Sequence, residues 1–252
     1  MGISESWQLA FALFLLAIIA TTASMIGRIG IERSILWALL RAILQLAVVS
    51  LILVTALSET YYALLFVAVM FGIASYTTSK RSEVSDNLQW VALAMFGGTA
   101  PVFLVIFGLG AAPFNGPSIV PIMSIIIGNT MSGHTLAARR IFAQLRENLP
   151  SYDAARALGM TRMQAIPLIT EDILKEALIP SLDSVRTVGL VTLPGAFAGV
   201  LLGGGTPLQA GAAQILVLVG ILTSQVITVT LSHEFVKRTK ILTPDLRKRL
   251  LP

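Results

Sequence analysis

Three pairs of polar or ionisable residues interrupt stretches of this sequence that are otherwise apolar. They are Arg41 with Gln45, Asn129 with His134, and Asp183 with Arg186. Arg41 and Gln45 are four residues apart, so they share one face of a helix. Arg41 can also snorkel to a nearby interface, and Asp183 can pair locally with Arg186 as a structural clamp. A charged group at membrane depth is costly, so all six are candidates for function.

The segment IIGNTMSGH could supply soft or polar ligands. Asn129, Met131 and His134 could line a cavity for a metal-bearing substrate, although Met thioethers suit copper better than iron. The small residues of the segment equally favour close packing between helices. Pro194 and Gly195 indicate a hinge or a bend that lines a cavity, with a packing kink as the alternative.

The composition sets the environment in which these residues must work. Hydrophobic residues make up 55% of the 252 residues, charged residues 12%, and the mean hydropathy is +0.82. These values are typical of an integral membrane protein. Cysteine is absent, which excludes disulfides and thiolate metal sites.

Seven apolar stretches are each long enough to cross a bilayer as a helix, which needs roughly 20 residues. We predict an all-α membrane domain, 1–252, with spans at about 7–26, 36–57, 61–79, 90–110, 118–138, 184–204 and 212–233. Lipid offers backbone groups no hydrogen-bond partner, so the spans must be helical. The one long connection is 139–180.

Basic residues predict the orientation of these spans. All 18 Lys and Arg residues fall in or beside the first, third and fifth connections or in the C-terminal tail. By the positive-inside rule these segments are cytoplasmic, which places the N-terminus outside and the C-terminus inside. The basic tail is then an anchor to anionic lipid, and the positive net charge needs no nucleic acid partner.

The long cytoplasmic connection contains the short helical segment SYDAARALG. Ser151 can cap its start, and the helix dipole favours the negative charge of Asp153 in the first turn. Ala154, Ala155 and Leu158 are predicted to share one face.

A corner and a second helix follow this segment. Gly159 is expected to end the first helix in a left-handed conformation, followed by Met160, and Thr161 with Gln164 predicts that a second helix starts there. The short helix is unstable alone. It either lies at the lipid interface or docks to a partner protein.

Part of this connection resembles a known signature. DAARALG is similar to the E-A-A-x-x-x-G coupling loop of ABC transporter permeases, with Asp153 in place of Glu and without the usual I-x-L-P downstream. A broader resemblance, to the FetB family of permeases, covers nearly the whole chain. It rests on ILWALLRAILQL (35–46), TSKRS (78–82), IIGNTM (126–131), RALGMTRMQA (156–165) and IPSLDSVRTVGLVTLPGAFAG (179–199).

The FetB family is linked to iron export in bacteria and includes plant relatives tied to aluminium tolerance. The resemblance implies a metal-transport permease in the cell membrane, the inner membrane in a bacterium. The chain would be driven by a separate ABC ATPase subunit that binds ATP and Mg²⁺ and docks at residues 153–160. The polar candidates above would then line or gate the pathway, together with Pro194 and Gly195.

Further expectations concern partners and chemistry. The chain lacks the G-x-x-x-x-G-K-[ST] loop, so we expect no ATP hydrolysis and no cofactor in this subunit. Seven spans are few for a complete pathway, which favours a homodimer. The alternative is a receptor or assembly protein whose cytoplasmic helix docks a different partner.

Overall fold

The computed structural model describes residues Trp7–Leu251, and the regular elements in this range are all helices. The helices are α1 (Trp7–Ile26), α2 (Glu32–Ser58), α3 (Thr60–Arg81), α4 (Leu88–Gly108), α5 (Gly116–Glu147), α6 (Leu149–Ala157), α7 (Arg162–Thr187), α8 (Gly195–Leu202), α9 (Pro207–Lys237) and α10 (Pro244–Leu250). A single 3-10 turn, Ser85–Asn87, precedes α4. The all-α prediction is confirmed for the described residues.

Six of the described helices, α1 to α5 and α9, are long and apolar enough to cross a membrane. They match six of the seven predicted spans, although α5 and α9 extend beyond them. The remaining prediction, a span at 184–204 with a bend at Pro194, needs correction. Helix α7 ends at Thr187 and α8 begins only at Gly195, so this stretch is two helices separated by seven non-helical residues.

The chain divides into two compact units, Met1–Ala56 and Leu57–Pro252. The described part of the first unit contains α1 and nearly all of α2. Positive φ angles at Arg28 and Gly30 produce the turn between them. Ser24 Oγ donates a hydrogen bond to Glu32 Oε1 at 2.8 Å, which ties the end of α1 to the start of α2.

The second unit is built on the contacts of α9 with α4 and α5, and of α5 with α3. Gly98 and Gly133 are buried, and the polar residues of α9 lie against them. Thr130 Oγ1 and Ser224 Oγ lie 2.7 Å apart in the buried contact of α5 with α9. Lipid provides no hydrophobic force between helices, so small residues and interhelical hydrogen bonds of this kind hold a membrane bundle together.

One end of this unit gathers segments that are predicted to be cytoplasmic. Arg139 Nε donates to the carbonyl oxygen of Arg81 at 2.9 Å. Arg146 lies between Asp245, with Nε–Oδ2 of 2.8 Å, and Glu83, with NH2–Oε2 of 3.4 Å. The end of α5, the segment after α3 and α10 therefore meet at one place.

The Arg146–Asp245 contact predicts how α10 responds to acid. Arg146 holds the pKa of the Asp245 carboxyl well below its usual range, chiefly by hydrogen bonding. A depressed carboxyl pKa adds stability that is complete above about pH 4, the ordinary Asp value, and is lost below it. Both side chains are partly exposed, so we expect less than about 1 kcal/mol.

Asp245→Asn should therefore weaken amide protection of α10 at pH 7, whereas the native chain should lose this protection only below about pH 4. Hydrogen exchange, corrected for the intrinsic pH dependence, measures both effects. The exposed and unrelated Asp172→Asn is the control and should leave α10 unchanged. Equal protection of α10 in the native chain and Asp245→Asn at pH 7 would contradict this account.

Candidate functional site

The corner that was predicted to be cytoplasmic is formed by α6 and the four residues after it. Gly159 has φ +87°, in the left-handed region that glycine adopts without steric cost. Its N–H donates to the carbonyl of Arg156 at 3.0 Å, and that of Met160 donates to the carbonyl of Ala155 at 3.1 Å. These two bonds form a Schellman motif. The predicted glycine terminator is confirmed.

The predicted start of the short helix is wrong. Helix α6 begins at Leu149, with Asn148 as its N-cap residue, so Ser151 lies inside it. Pro150 occupies the first turn, where a missing N–H costs nothing. The helix has nine residues and starts directly after α5 ends.

The predicted shared face of α6 is also wrong. Ala155 is buried together with Tyr152, whereas Ala154 is exposed and Leu158 is 80% exposed. The helix therefore packs through Tyr152 and Ala155. The outward surface contains Asp153, Ala154 and Leu158.

Helix α7 leads from this corner back along the bundle. It starts after Thr161, whose backbone N–H donates to Gln164 Oε1 at 2.8 Å, so the predicted restart of the helix is confirmed. Further along, Thr170 Oγ1 lies 2.8 Å from His233 Nε2 in a buried contact with α9. Ala177 then packs against Ala137 and Val229.

The segment 188–194 separates α7 from α8. The N–H of Gly189 donates to the carbonyl of Thr192 at 2.9 Å, and the N–H groups of Leu190 and Val191 both donate to that of Thr187. Pro194 is the N-cap residue of α8, which starts at Gly195. The side chains of Leu190 and Val191 are 88% and 78% exposed.

Two contacts with α9 fix the position of this segment along that helix. On one side Phe197 N–H, in α8, donates to Gln214 Oε1 at 3.2 Å. On the other, Ala177 of α7 packs against Val229. The non-helical segment therefore lies at the level of α9 between Gln214 and Val229, a run without charged residues that is about 22 Å long at 1.5 Å per residue.

Asp183 and Arg186 lie between Ala177 and the non-helical segment, so they lie at the same level of α9. Their side chains are 3.2 Å apart and 54% and 72% exposed. The predicted local ion pair is confirmed. Helix α7 continues for six residues, about 9 Å, from Ala177 to Asp183.

Asn129 lies on the face of α5 that points toward α7. It precedes Arg140 by eleven residues, about three helical turns, and Arg140 NH1 pairs with Glu176 Oε2 of α7 at 3.3 Å. The exposed amide of Asn129 donates to the carbonyl of Ile125 at 2.8 Å. Asn129 therefore lies toward the side of the bundle that carries the Asp183–Arg186 pair.

The predicted metal ligands do not form a ligand set. His134 is fully buried, and neither of its ring nitrogens meets a hydrogen-bond partner. Met131 is partly buried, and its carbonyl accepts from Thr135 Oγ1 at 2.8 Å. Among residues 7–251, no three His, Asp or Glu side chains converge to hold a metal ion.

His134→Leu is expected to preserve the fold and to raise the melting temperature, because it removes a buried polar group without a partner. Each kcal/mol added to the free energy of unfolding should raise the melting temperature by about 2–4 °C. Thr130→Val is the matched comparison and should lower the melting temperature, because it leaves Ser224 unpaired. Thermal unfolding of both variants in detergent measures the difference. A loss of stability in His134→Leu equal to that in Thr130→Val would show that His134 has a structural partner.

Two glutamines were not singled out from the sequence. Gln214 holds the start of α8, and Gln225 Nε2 donates to the carbonyl of Asn129 at 2.8 Å. Both interrupt the last apolar span, which is the signal that could have identified them. Arg41 and Gln45 lie exposed on α2 in the first unit, four residues apart as predicted.

Comparison with known proteins identifies relatives of this chain. The chain is 31% identical to the UPF0014 membrane protein STAR2 of Oryza sativa subsp. japonica, over 79% of this chain and 71% of that protein. It is 29% identical to Protein ALUMINUM SENSITIVE 3 of Arabidopsis thaliana, over 87% and 82% of the two chains. It is 29% identical to the Probable iron export permease protein FetB of Escherichia coli (strain K12), over 85% and 83%.

No solved structure matches the chain. Residues 6–241 match the profile of the Uncharacterised protein family (UPF0014), a family name that the rice relative also carries. The resemblance to FetB and to plant relatives tied to aluminium is therefore confirmed. With six apolar helices of sufficient length among the described residues, this chain is a multi-pass membrane protein that belongs to the UPF0014 family.

Proposed function

We propose that this chain is the permease subunit of an ABC transporter and moves a metal ion under the control of a separate ATPase. The observation that carries the proposal is the α6 corner. A nine-residue helix with an exposed outer surface stands between two long helices of the bundle. A partner that moves α6 would move α7 with it, because only a four-residue turn separates them.

The outer surface of α6 suits docking. Leu158 is 80% exposed beside the exposed Ala154, so the surface combines an apolar projection with a small residue that admits close approach. The Schellman motif at Gly159 fixes the angle between α6 and α7. A groove in an ATPase subunit could therefore transmit its closure as a rigid-body movement.

The transport function also draws support from the relatives and from the polar groups at membrane depth. One relative is named a probable iron export permease, and another is named for aluminium sensitivity. Asp183, Asn129 and the unwound backbone of 188–194 offer oxygen ligands, which suit hard cations. We propose seven crossings, with α7, the non-helical segment and α8 together forming the sixth, and with the α6 corner in the cytoplasm.

The proposal is tested in vesicles that contain the chain and its candidate ATPase. We expect flux of iron that requires ATP hydrolysis, and co-purification of the ATPase that depends on residues 153–160. Vesicles without metal and vesicles with a hydrolysis-deficient ATPase are the controls. Co-purification of another protein through α6, without ATP-dependent flux, would instead indicate the receptor or assembly role.

A further inference from the structure

The exposed side of α7 and the segment after it form one continuous surface in the second unit. We call it the α7–α8 surface and define it by five exposed residues: Asp183, Arg186, Leu190, Val191 and Leu193. It combines a charged pair, apolar side chains and non-helical backbone, all at the level of α9 between Gln214 and Val229.

Lipid is an unsuitable neighbour for this surface. Non-helical backbone at membrane depth is tolerated only against protein or in a water-filled cavity, because hydrocarbon cannot satisfy its polar groups. An ion pair at that depth likewise faces the interior of an assembly or a cavity. The surface is nevertheless open in the second unit, since Leu190 is 88% exposed and Arg186 is 72% exposed.

The charges on this surface indicate what covers it. Asp183 and Arg186 have opposite sign and lie one helical turn apart. Across a two-fold axis that passes between them, Asp183 of one copy meets Arg186 of the other, and the reverse. Such an arrangement places each carboxylate against a guanidinium of the other copy, so the surface is complementary to itself.

We propose that two copies of this chain meet across the α7–α8 surface and exchange the partners of the Asp183–Arg186 ion pair. The two non-helical segments then face each other and enclose a cleft between the copies. The contact itself requires no ATPase. The proposal rests on the proposed function only in assigning this cleft to the transport pathway.

The absence of cysteine permits a direct test. Leu190→Cys and Val191→Cys each introduce one thiol, so a disulfide can form only between two chains. Leu104→Cys is the control, because Leu104 is 65% exposed on α4. It also lies at a matched depth, since its neighbours Val102 and Ile106 both lie against Gly220 of α9, between Gln214 and Val229.

Mild oxidation in native membranes should convert most of Leu190→Cys and Val191→Cys into a dimer on non-reducing gels, at least about five-fold more than Leu104→Cys. Size-exclusion profiles check that the variants remain folded. Equal dimer yields at all three positions, or a dimer at Leu104→Cys alone, would overturn the proposal. If the chain is dimeric by mass but neither Leu190→Cys nor Val191→Cys forms a disulfide-linked dimer, another segment covers the surface. That result would also overturn the proposal.

The exchange of ion-pair partners has its own test. Asp183→Arg alone and Arg186→Asp alone should each lose about ten-fold in dimer yield, because each puts like charges together at the two-fold. Co-expressed with different tags, the two variants should recover each other on affinity resin, since a mixed dimer restores both attractive contacts. If the ion pair acts only within one chain, the co-expressed variants should give as little dimer as either variant alone. Such a result would overturn the exchange.

These tests separate the two proposals. Loss of the dimer contact with retained ATPase binding and flux would remove only the α7–α8 interface. Cross-linking at 190 and 191 without any ATP-dependent flux would remove only the transport function.

Discussion

Replacement of Ala154 by tryptophan should abolish ATP-driven flux, to below about a tenth of the native rate, while the chain still inserts and folds. Ala154 is exposed on the outer surface of α6 and contributes nothing to the buried side formed by Tyr152 and Ala155. A bulky side chain at this position would hold a docked ATPase away from the helix. The measurement is flux in vesicles, together with the amount of ATPase retained on the purified chain.

Two further variants make this result interpretable. Ala111→Trp places the same side chain at an exposed position in the connection between α4 and α5, at the opposite end of the second unit, and should leave flux unchanged. Ala155→Trp should instead destabilise the corner, because Ala155 is only 7% exposed. Normal flux and normal ATPase retention in Ala154→Trp would refute docking at this surface.

Among the glycines of residues 7–251, Gly98 should tolerate replacement by alanine least. A Cβ at Gly98 would overlap Thr228 Oγ1 and the backbone carbonyl oxygen of Ser224, so α4 and α9 could not approach as they do. Overpacking of this kind costs about 3 kcal/mol. We expect a fall in the yield of folded protein and in its melting temperature, measured by fluorescence-detected size exclusion.

The control for this prediction is the same change at another helical glycine. Gly72 is exposed on α3, and a Cβ there meets nothing within 4 Å. Gly72→Ala should therefore be neutral, or stabilising by up to about 1 kcal/mol through helix propensity. Equal stability of Gly98→Ala and Gly72→Ala would contradict the close approach of α4 to α9 at Gly98.

Length and apolar composition were sufficient to predict α1 to α5 and α9, because lipid leaves few alternatives to a long apolar helix. They failed at 184–204. Average hydropathy does not register whether an apolar segment is wound or unwound, and Pro194 signalled only the last residue of the interruption. The actual break begins six residues earlier, at Val188.

Local signals predicted the corner only in part. Gly159 was identified correctly, because its left-handed conformation is a property of one residue. The start of α6 was not, because Asn148 and Pro150 compete with Ser151 as initiation signals. Spacing grouped Ala154 with Ala155, but only the packing of Tyr152 decides which face turns inward.

The contacts that position the candidate site depend on residues far apart in sequence. Arg146 meets Asp245 across 99 residues, and Gln225 meets Asn129 across 96. No local pattern specifies such a pairing. A single sequence shows that polar side chains are present in an apolar span, and the folded bundle determines which of them meet.

The attachments on either side of the 188–194 segment have a mechanical consequence. Before the break, the bond of Thr170 to His233 fastens α7 to α9, and after it the bond of Phe197 to Gln214 fastens α8 to the same helix. The chain between these two fixings can change its winding without loosening either one. In the proposed transporter, a displacement of α7 by the partner ATPase would therefore change the winding of 188–194 and leave α8 in place against α9.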